Sequence, residues 1–337
     1  MQGILQLEKT SVLYRYRNLF IYGTLLIVAV LASYISNPVI TTAVLASAVR
    51  QATPIVLGAL CGMICERSGV INIGIEGQML LSAFTGFLAN VYLDNLFLAV
   101  LVAVLTGALL GLLLAFMSVT LKIDQIIGGT VINILALGLT GYFYISGLTT
   151  SGKLQPIRLG PLADIPLIGP IFFSNPPITY AAIILVFLSH YVLFHTRWGL
   201  RTRAVGEHPR AADTVGIDVY KIRYANVIIA GAVVGLAGAF LTLESVGSFE
   251  RAMTNGRGFV ALAVMIFGQW TPFGAWGAAL LFGFAMALQT QLQFTGQFNI
   301  PHQFIGMLPY VLTIIVLAGF VGRSRPPAAE GVPYEKE

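Results

Sequence analysis

The residue types that could do chemistry concentrate in one short stretch between two long apolar runs, residues 66–78. It contains three glycines and an asparagine, and the carboxylate Glu76 lies near its end. Polar groups are costly among apolar membrane helices unless they are paired or face a water-lined cavity. A broken or closely packed backbone is therefore expected here. Three roles remain open for Glu76: a helix cap or salt bridge between neighbouring helices, a substrate contact, and proton coupling.

A second group of candidates consists of uncharged polar and aromatic side chains within the apolar runs. Such groups suit a neutral polar ligand such as a sugar or a nucleoside. They suit hydrogen bonds between membrane helices equally well, at about 0.6 kcal/mol each, so both interpretations stay open. Together with Glu76, the candidates for a substrate path are Asn72, Gln78, Asn133, Gln269 and Trp270, and Gln125, Gln289 and Gln293 share their character.

The other reactive residue types indicate neither a metal site nor a catalytic site. Cys61 and Cys65 lie four residues apart without a histidine or a second cysteine pair nearby, which is typical of small packing residues. Cys61, His190 and His302 lack the spacing of a nucleophile, a base and an orienting group, which argues against a membrane-embedded enzyme. The sequence has no Gly-x-x-x-x-Gly-Lys-Ser/Thr phosphate loop, so we expect this chain to bind no cofactor.

The elements that must position these residues are membrane helices. Of 337 residues, 57% are hydrophobic and 10% are charged, whereas about 25% of a typical soluble domain is charged. A helix needs about 20 apolar residues to cross a bilayer, and the apolar runs leave room for roughly eight to ten crossings. The net charge of +5 fits Lys- and Arg-rich loops on the cytoplasmic side better than a nucleic-acid partner.

The predicted fold is therefore all-α, a bundle of about ten transmembrane helices. The eighth helix is short enough to be either spanning or re-entrant. Two Gly-rich interruptions, 68–77 and 256–277, are compatible with two repeats that meet at a substrate path, or with ordinary glycine packing. The predicted helices are 18–36, 41–64, 71–93, 96–118, 124–148, 177–195, 223–247, 257–270, 273–293 and 303–322.

The basic residues orient this bundle. Most of the 19 Lys and Arg residues fall on one side if the N-terminus is cytoplasmic, so both termini are predicted to lie in the cytoplasm. The chain then divides into a cytoplasmic segment 1–17, a transmembrane domain 18–322 and a cytoplasmic tail 323–337. Within the domain, the largest extracytoplasmic loop is 149–177 and the main cytoplasmic loop is 196–222.

The cytoplasmic loop contains the signals of a short helix. Pro209 suits a first helical position, Ala211 and Ala212 favour a helix, and Gly216 suits its end. Small alanines flanked by charges are what docking into a groove of a soluble partner would need. An ordinary basic loop between two spans is the alternative interpretation.

Three segments together resemble a known family. The order ERSGVINIGIEGQM, AVGEHPRAADTVGIDV and GFVALAVMIFGQWTPFGAWGAALLFG is similar to permease subunits of bacterial ABC importers, in the branch of ribose, nucleoside and branched-chain amino acid permeases. The likeness is greatest to the nucleoside and simple-sugar members and extends from Leu45 to Val321. It implies a multi-pass protein of the bacterial inner membrane that imports a nucleoside or related neutral solute by alternating access.

The resemblance also implies partners. Two copies of a cytoplasmic ATPase would bind ATP and Mg, an extracytoplasmic solute-binding protein would deliver substrate, and a second permease, identical or different, would complete the pore. The 206–219 segment would be the coupling helix that sits in a groove of the ATPase. Its matching and neighbouring positions are Gly206, Glu207, Pro209, Arg210, Ala211, Ala212, Asp213 and Gly216.

An ion-coupled secondary transporter of a small polar solute is the main alternative. It would need an acidic relay or a cation site within the membrane. Apart from Asp124 at a helix border, Glu76 and Glu244 are the carboxylates placed at membrane depth. So few carboxylates argue against a secondary transporter. Glu244 could also form a buried ion pair with Arg50 that stabilises the bundle.

Overall fold

A computed structural model describes residues 24, 28–295, 302–309, 311, 314 and 326–336. Residues 28–36 are helical. The helices that follow are α1 (Pro38–Glu66), α2 (Ile75–Leu93), α3 (Leu96–Ala115), α4 (Gln125–Tyr142), α5 (Ile168–Phe172), α6 (Pro177–His195), α7 (Arg197–Glu207), α8 (Pro209–Thr214), α9 (Val219–Ala239), α10 (Arg257–Phe267), α11 (Pro272–Thr295) and α12 (His302–Gly306). Wider π-helical turns extend α3 over Phe116–Thr120 and α9 over Phe240–Val246.

The described chain is mostly helical, as predicted. Among the described residues six helices, α1, α3, α4, α6, α9 and α11, are long and apolar enough to cross a membrane. Helix α10 has 11 residues, which at 1.5 Å per residue covers about half of a 30 Å hydrocarbon core. The first and tenth predicted helices, 18–36 and 303–322, are only partly covered by the described residues, so the total of about ten spans stays a prediction.

Polar side chains cap the starts of several helices, and the start of α3 at Leu96 is the predicted one. The side chain of Asn37 accepts a hydrogen bond at the start of α1, and that of Asn95 accepts two at the start of α3. Several predicted boundaries are wrong by three or more residues. Helix α1 begins at Pro38 instead of 41, α9 begins at Val219 instead of 223, and α10 ends at Phe267 instead of 270. Helix α2 begins at Ile75 instead of 71, because the backbone of residues 67–74 forms turns, and α4 ends at Tyr142 instead of 148.

Helices α1 and α9 form the centre of the bundle and are buried along most of their lengths, whereas α3, α4, α6 and α11 surround them. Glycines bring α3 and α9 into backbone contact. A Cβ atom on Gly107 would lie 2.2 Å from the carbonyl oxygen of Gly231, and one on Gly111 would lie 2.6 Å from that of Val227. Such small-residue contacts are typical of helix packing in membranes.

The long segment between α4 and α6 folds into a small cap at one end of the bundle. Strands β1 (Ile157–Arg158) and β2 (Ser174–Asn175) pair antiparallel within it. The side chain of Asn90 in α2 accepts a hydrogen bond from the backbone N–H of Ser151 at 3.0 Å and so ties the cap to the bundle. The opposite end of the bundle carries α7 and α8.

Candidate functional site

The turn segment 67–74 reaches into the bundle before α2 begins, and side chains of α4 satisfy its backbone. Asn133 accepts a hydrogen bond from the N–H of Gly77 at 2.7 Å and donates one to the carbonyl oxygen of Ile73 at 3.1 Å. Gln125 accepts a hydrogen bond from the N–H of Ile71 at 2.6 Å. These contacts replace the helical hydrogen bonds that the segment lacks.

Asn72 and Gln78 form a fully buried polar pair between α1 and α2. The Nδ2 atom of Asn72 donates to Oε1 of Gln78 at 3.0 Å and also contacts Sγ of Cys61 at 3.4 Å. Both cysteines are buried as free thiols. The remaining polar atoms, Asn72 Oδ1 and Gln78 Nε2, have no hydrogen-bond partner among the described residues.

Glu76 joins the starts of two helices. It lies in the first turn of α2, and its carboxylate accepts hydrogen bonds from the N–H of Gly256 at 2.8 Å and of Gly258 at 2.6 Å, at the start of α10. A carboxylate at the N-terminus of a helix is stabilised by the helix dipole. A Cβ atom on Gly258 would lie 2.5 Å from the backbone nitrogen of Glu76, so the two helices meet at a glycine. Of the three roles open for Glu76, this geometry is that of a helix cap.

Glu244 has a similar position at the start of α6. Its carboxylate accepts hydrogen bonds from the N–H of Ile178 at 2.7 Å and from the hydroxyl of Thr179 at 2.6 Å. Arg50 is exposed and lines the same outer cavity of about 300 Å³ as Glu244. No Arg50–Glu244 ion pair within 4.0 Å is found in the described part of the chain, because the carboxylate is turned towards α6.

Trp270 lies where α10 ends. Its Nε1 atom donates to Oε2 of the buried Glu66 at 2.5 Å, and its carbonyl oxygen accepts from Nη2 of Arg67 at 2.9 Å. The neighbouring Gln269 is exposed. Both residues have positive φ, 53° for Gln269 and 51° for Trp270, so the turn after α10 is tight and fixes the indole against the end of α1.

A cavity of about 450 Å³ opens between α1, α10, α11 and the region of α12. This volume lies within the range typical of small-molecule sites. Of the substrate-path candidates in the predicted set, Asn72, Glu76, Gln78, Asn133, Gln269 and Trp270, none is among the described residues that line it. Its polar and aromatic lining includes Gln51, Asn255, Arg257, Phe259, Gln289 and Thr290.

The cavity lining differs from the predicted candidates for a physical reason. Gln289 shares the character of those candidates, but sequence reasoning missed Gln51, Asn255 and Arg257, because the faces of α1 and α10 that meet α11 depend on contacts between distant segments. One feature of the sequence could have pointed to this cavity. The polar residues Asn255 and Arg257 lie beside Gly256 at the start of an apolar helix.

The segment 206–216, named here the coupling segment after its predicted role, contains the short helix α8 that the sequence predicts. Pro209 occupies the first helical position. Gly216 ends the helix with φ 82°, and the N–H groups of Gly216 and Ile217 donate to the carbonyl oxygens of Asp213 and Ala212, which is a Schellman motif. A Cβ atom on Gly206 would lie 2.3 Å from the carbonyl oxygen of Arg67, so this glycine lets the segment approach the end of α1.

The coupling segment presents one face to solvent and one to the protein. Glu207, Arg210 and Ala211 are exposed. Ala212 is buried with Tyr334 in an apolar cluster, and the carboxylate of Asp213 lies 3.5 Å from Nζ of Lys336.

Residues 326–336, here the C-terminal strap, lie across the same end of the bundle. The N–H of Ala329 donates to the carbonyl oxygen of Gly206 at 2.9 Å, and the N–H of Gly331 donates to that of Gly69 at 3.2 Å. The half-buried carboxyl of Glu330 is hydrogen bonded to that of Glu66. Burial raises the pKa of Glu330, and the hydrogen bond to Glu66 offsets part of this rise.

Similar sequences occur among permeases of transport systems. The chain matches the family model described as branched-chain amino acid transport system, permease component, over residues 44–317. The guanosine ABC transporter permease protein NupQ of Bacillus subtilis is 44% identical over 299 residues, covering 85% of this chain and 94% of that protein. The nucleoside ABC transporter permease protein NupC of Lactococcus lactis is 39% identical, covering 87% and 96%.

A third relative is described with a different substrate. The putative glucose ABC transporter permease protein TsgC13 of Haloferax volcanii is 35% identical over 298 residues, covering 82% of this chain and 91% of that protein. No solved structure matches the chain.

Proposed function

Because the chain belongs to the branched-chain amino acid transport permease family, and is the inner-membrane permease subunit of an ABC importer for a nucleoside or a sugar, we propose that its substrate is a nucleoside. The observation that carries this choice is the 44% identity to the guanosine permease over 85% of the chain. The glucose permease is less similar, at 35%.

The proposed substrate path is the 450 Å³ cavity at the start of α10. The ring of Phe259 is 50% exposed there and supplies a face on which a base can stack. Amide groups of Gln51, Asn255 and Gln289 can bond ribose hydroxyls or base edges. Asn72, Gln78 and Asn133 lie outside this lining and, with Glu76, support the helices that frame it.

The proposed energy source is a partner ATPase that binds ATP and Mg. The exposed face of the coupling segment, with Glu207, Arg210 and Ala211, would contact it, while Ala212 faces the protein. A solute-binding protein would dock at the β1–β2 end, and a second permease would complete the path. This arrangement assigns both termini to the cytoplasm and about ten spans to residues 18–322.

The test of the substrate is uptake by cells that lack their own nucleoside transport and express this chain with its partner subunits. Tritiated guanosine should accumulate, and unlabelled nucleosides should compete, whereas glucose and ribose should not. Inhibition of uptake by glucose, without inhibition by any nucleoside, would contradict the proposal and indicate a sugar as the substrate.

The test of the path is Phe259→Leu, which removes the exposed ring but keeps an apolar side chain. The half-saturating guanosine concentration should rise about tenfold, given ~1–3 kcal/mol for base stacking on an aromatic ring. Phe284→Leu on α11 is the control, because its ring is 38% exposed and does not line the cavity. Equal effects of the two substitutions would contradict the assignment.

A further inference from the structure

The C-terminal strap contacts several separate segments at the α7–α8 end of the bundle. Beyond its backbone bonds to Gly206 and Gly69, its Glu335 forms an ion pair of 2.6 Å with Lys122 in the α3–α4 loop. Nη1 of Arg223 in α9 donates to the carbonyl oxygen of Val332 at 3.0 Å. The strap therefore has a defined place on the protein surface.

Tyr334 anchors the strap by burial. Its side chain is 6% exposed and packs in a cluster with Val205, Ala212, Val219 and Ile222. The hydroxyl of Tyr220 donates to its carbonyl oxygen at 3.4 Å. Because Ala212 belongs to this cluster, the inner face of α8 rests directly on the strap.

The outer side of the strap forms a groove with the coupling segment, and Glu335 is the charged strap residue among the described residues that line it. One wall holds Glu207, Pro209 and Ala211, and the other holds Ala328, Val332 and Pro333, around a volume of about 670 Å³. Val332 is 53% exposed, and Val215 beside the groove is 75% exposed. Exposed apolar side chains that cluster on a polar surface indicate a place where a protein partner binds.

The size of α8 argues that its partner must contact more than this helix. Helix α8 has six residues and is about 9 Å long. A stable protein interface buries about 800 Å² on each partner, which is more surface than so short a helix can offer. The strap is the surface continuous with α8 in this groove, and its exposed Val332 and Pro333 offer apolar contacts beside the charged Glu207 and Arg210 of the coupling segment.

We propose that the C-terminal strap forms the second wall of the ATPase-docking groove, so that the ATPase contacts Val332 and Pro333 as well as the coupling segment. This inference rests on the proposed coupling to an ATPase. It assigns to the strap a part of the partner interface in addition to its role in holding α8.

The test uses the absence of exposed native thiols in this chain, since Cys61 and Cys65 are its only cysteines and both are buried. Val332→Cys, Ala211→Cys and Leu162→Cys are each labelled with a benzophenone maleimide in the assembled transporter and irradiated. Leu162 is the control, because it is 48% exposed in the cap at the opposite end of the bundle. Adducts are identified by mass spectrometry.

The label at position 332 should form an adduct with the ATPase as efficiently as the label at 211, and the label at 162 should form none with it. An ATPase adduct from the label at 211 without one from the label at 332 would contradict the proposed contact of the strap with the ATPase. The proposed contact of the coupling segment would be retained. Absence of ATPase adducts from both positions in an intact complex would overturn the coupling proposal as well.

Substitutions of Val332 measure how much the same contact contributes to ATPase affinity. Val332→Asp, whose backbone carbonyl can still accept from Arg223, should weaken ATPase binding about tenfold, as expected for a charge placed in an apolar contact. Val332→Ala should weaken it less. Unchanged ATPase affinity of the aspartate variant would contradict the proposed contact.

Discussion

Glu76 is the carboxylate whose role matters most at the scale of single residues. It accepts two backbone hydrogen bonds at the start of α10. In Glu76→Gln only one oxygen can accept, so one N–H group loses its partner, at a cost of about 1–3 kcal/mol. We expect a lower unfolding temperature in detergent, with guanosine uptake retained at permissive temperature.

Glu250→Gln is the matched control, because Glu250 is exposed in the turn that precedes α10. Its unfolding temperature should equal that of the unsubstituted protein. An unchanged unfolding temperature for Glu76→Gln combined with lost uptake would mean that the carboxylate contacts substrate or carries a proton.

Glu330 makes the contact of the strap with α1 dependent on pH. Burial raises the pKa of this carboxyl above its ordinary value, so its neutral form is favoured when the strap is docked. Docking is therefore strongest below the ordinary pKa and weakens as pH rises through the higher pKa of the docked state.

Hydrogen–deuterium exchange of residues 326–336 would measure this effect. We expect faster exchange as the pH rises above the ordinary pKa of a glutamate, after correction for the pH dependence of the intrinsic exchange rates. Glu330→Gln remains neutral and should remove this dependence. The same pH dependence in both proteins would show that another group controls the strap.

At the scale of elements, two adjacent alanines of α8 are expected to have different roles, one in binding the ATPase and the other in stabilising the fold. Ala211 is exposed, whereas Ala212 is 3% exposed and packs in the cluster with Tyr334. Ala211→Glu should leave the protein folded and abolish co-purification of the ATPase. Ala212→Glu places a charge in an apolar cluster and should loosen the strap and lower the unfolding temperature.

Ala211→Ser is the control for the first variant, since it keeps a small side chain and should retain the ATPase. Full recovery of the ATPase with Ala211→Glu would contradict the assignment of α8 as the coupling helix.

Much of the helical framework could be predicted from apolar runs and polar breaks. Helix α6 has the predicted bounds, 177–195, because Pro177 and the charged residues after His195 mark both ends. The start of α2 could not be placed from local sequence. Residues 70–73 are mostly apolar and look helical, but Asn133 and Gln125 of α4 hold them as turns.

The strap and the cavity depend even more on distant contacts. Residues 326–336 contain Pro and Gly and resemble a solvated tail in sequence. Their docking depends on backbone bonds to Gly206 and Gly69, which no periodic pattern reveals. The short helix α8, in contrast, could be predicted because Pro209 and Gly216 mark its ends locally.

At the scale of the whole molecule, continuous contacts join the coupling segment to the proposed substrate path. The coupling segment bonds the strap, Glu330 of the strap bonds Glu66, and Glu66 bonds Trp270 at the end of α10. The start of α10 lines the cavity and is held by Glu76. We expect motion of the coupling segment to reach the cavity through α10.

The central claim is that ATP hydrolysis in a partner drives nucleoside import through this chain. The direct measurement is tritiated guanosine uptake into proteoliposomes that contain the complete transporter, with the active ATPase or with a catalytically inactive one, and with or without a protonophore. Uptake should require the active ATPase and persist with the protonophore. Uptake that survives the inactive ATPase and collapses with the proton gradient would contradict this claim and make the chain a secondary transporter.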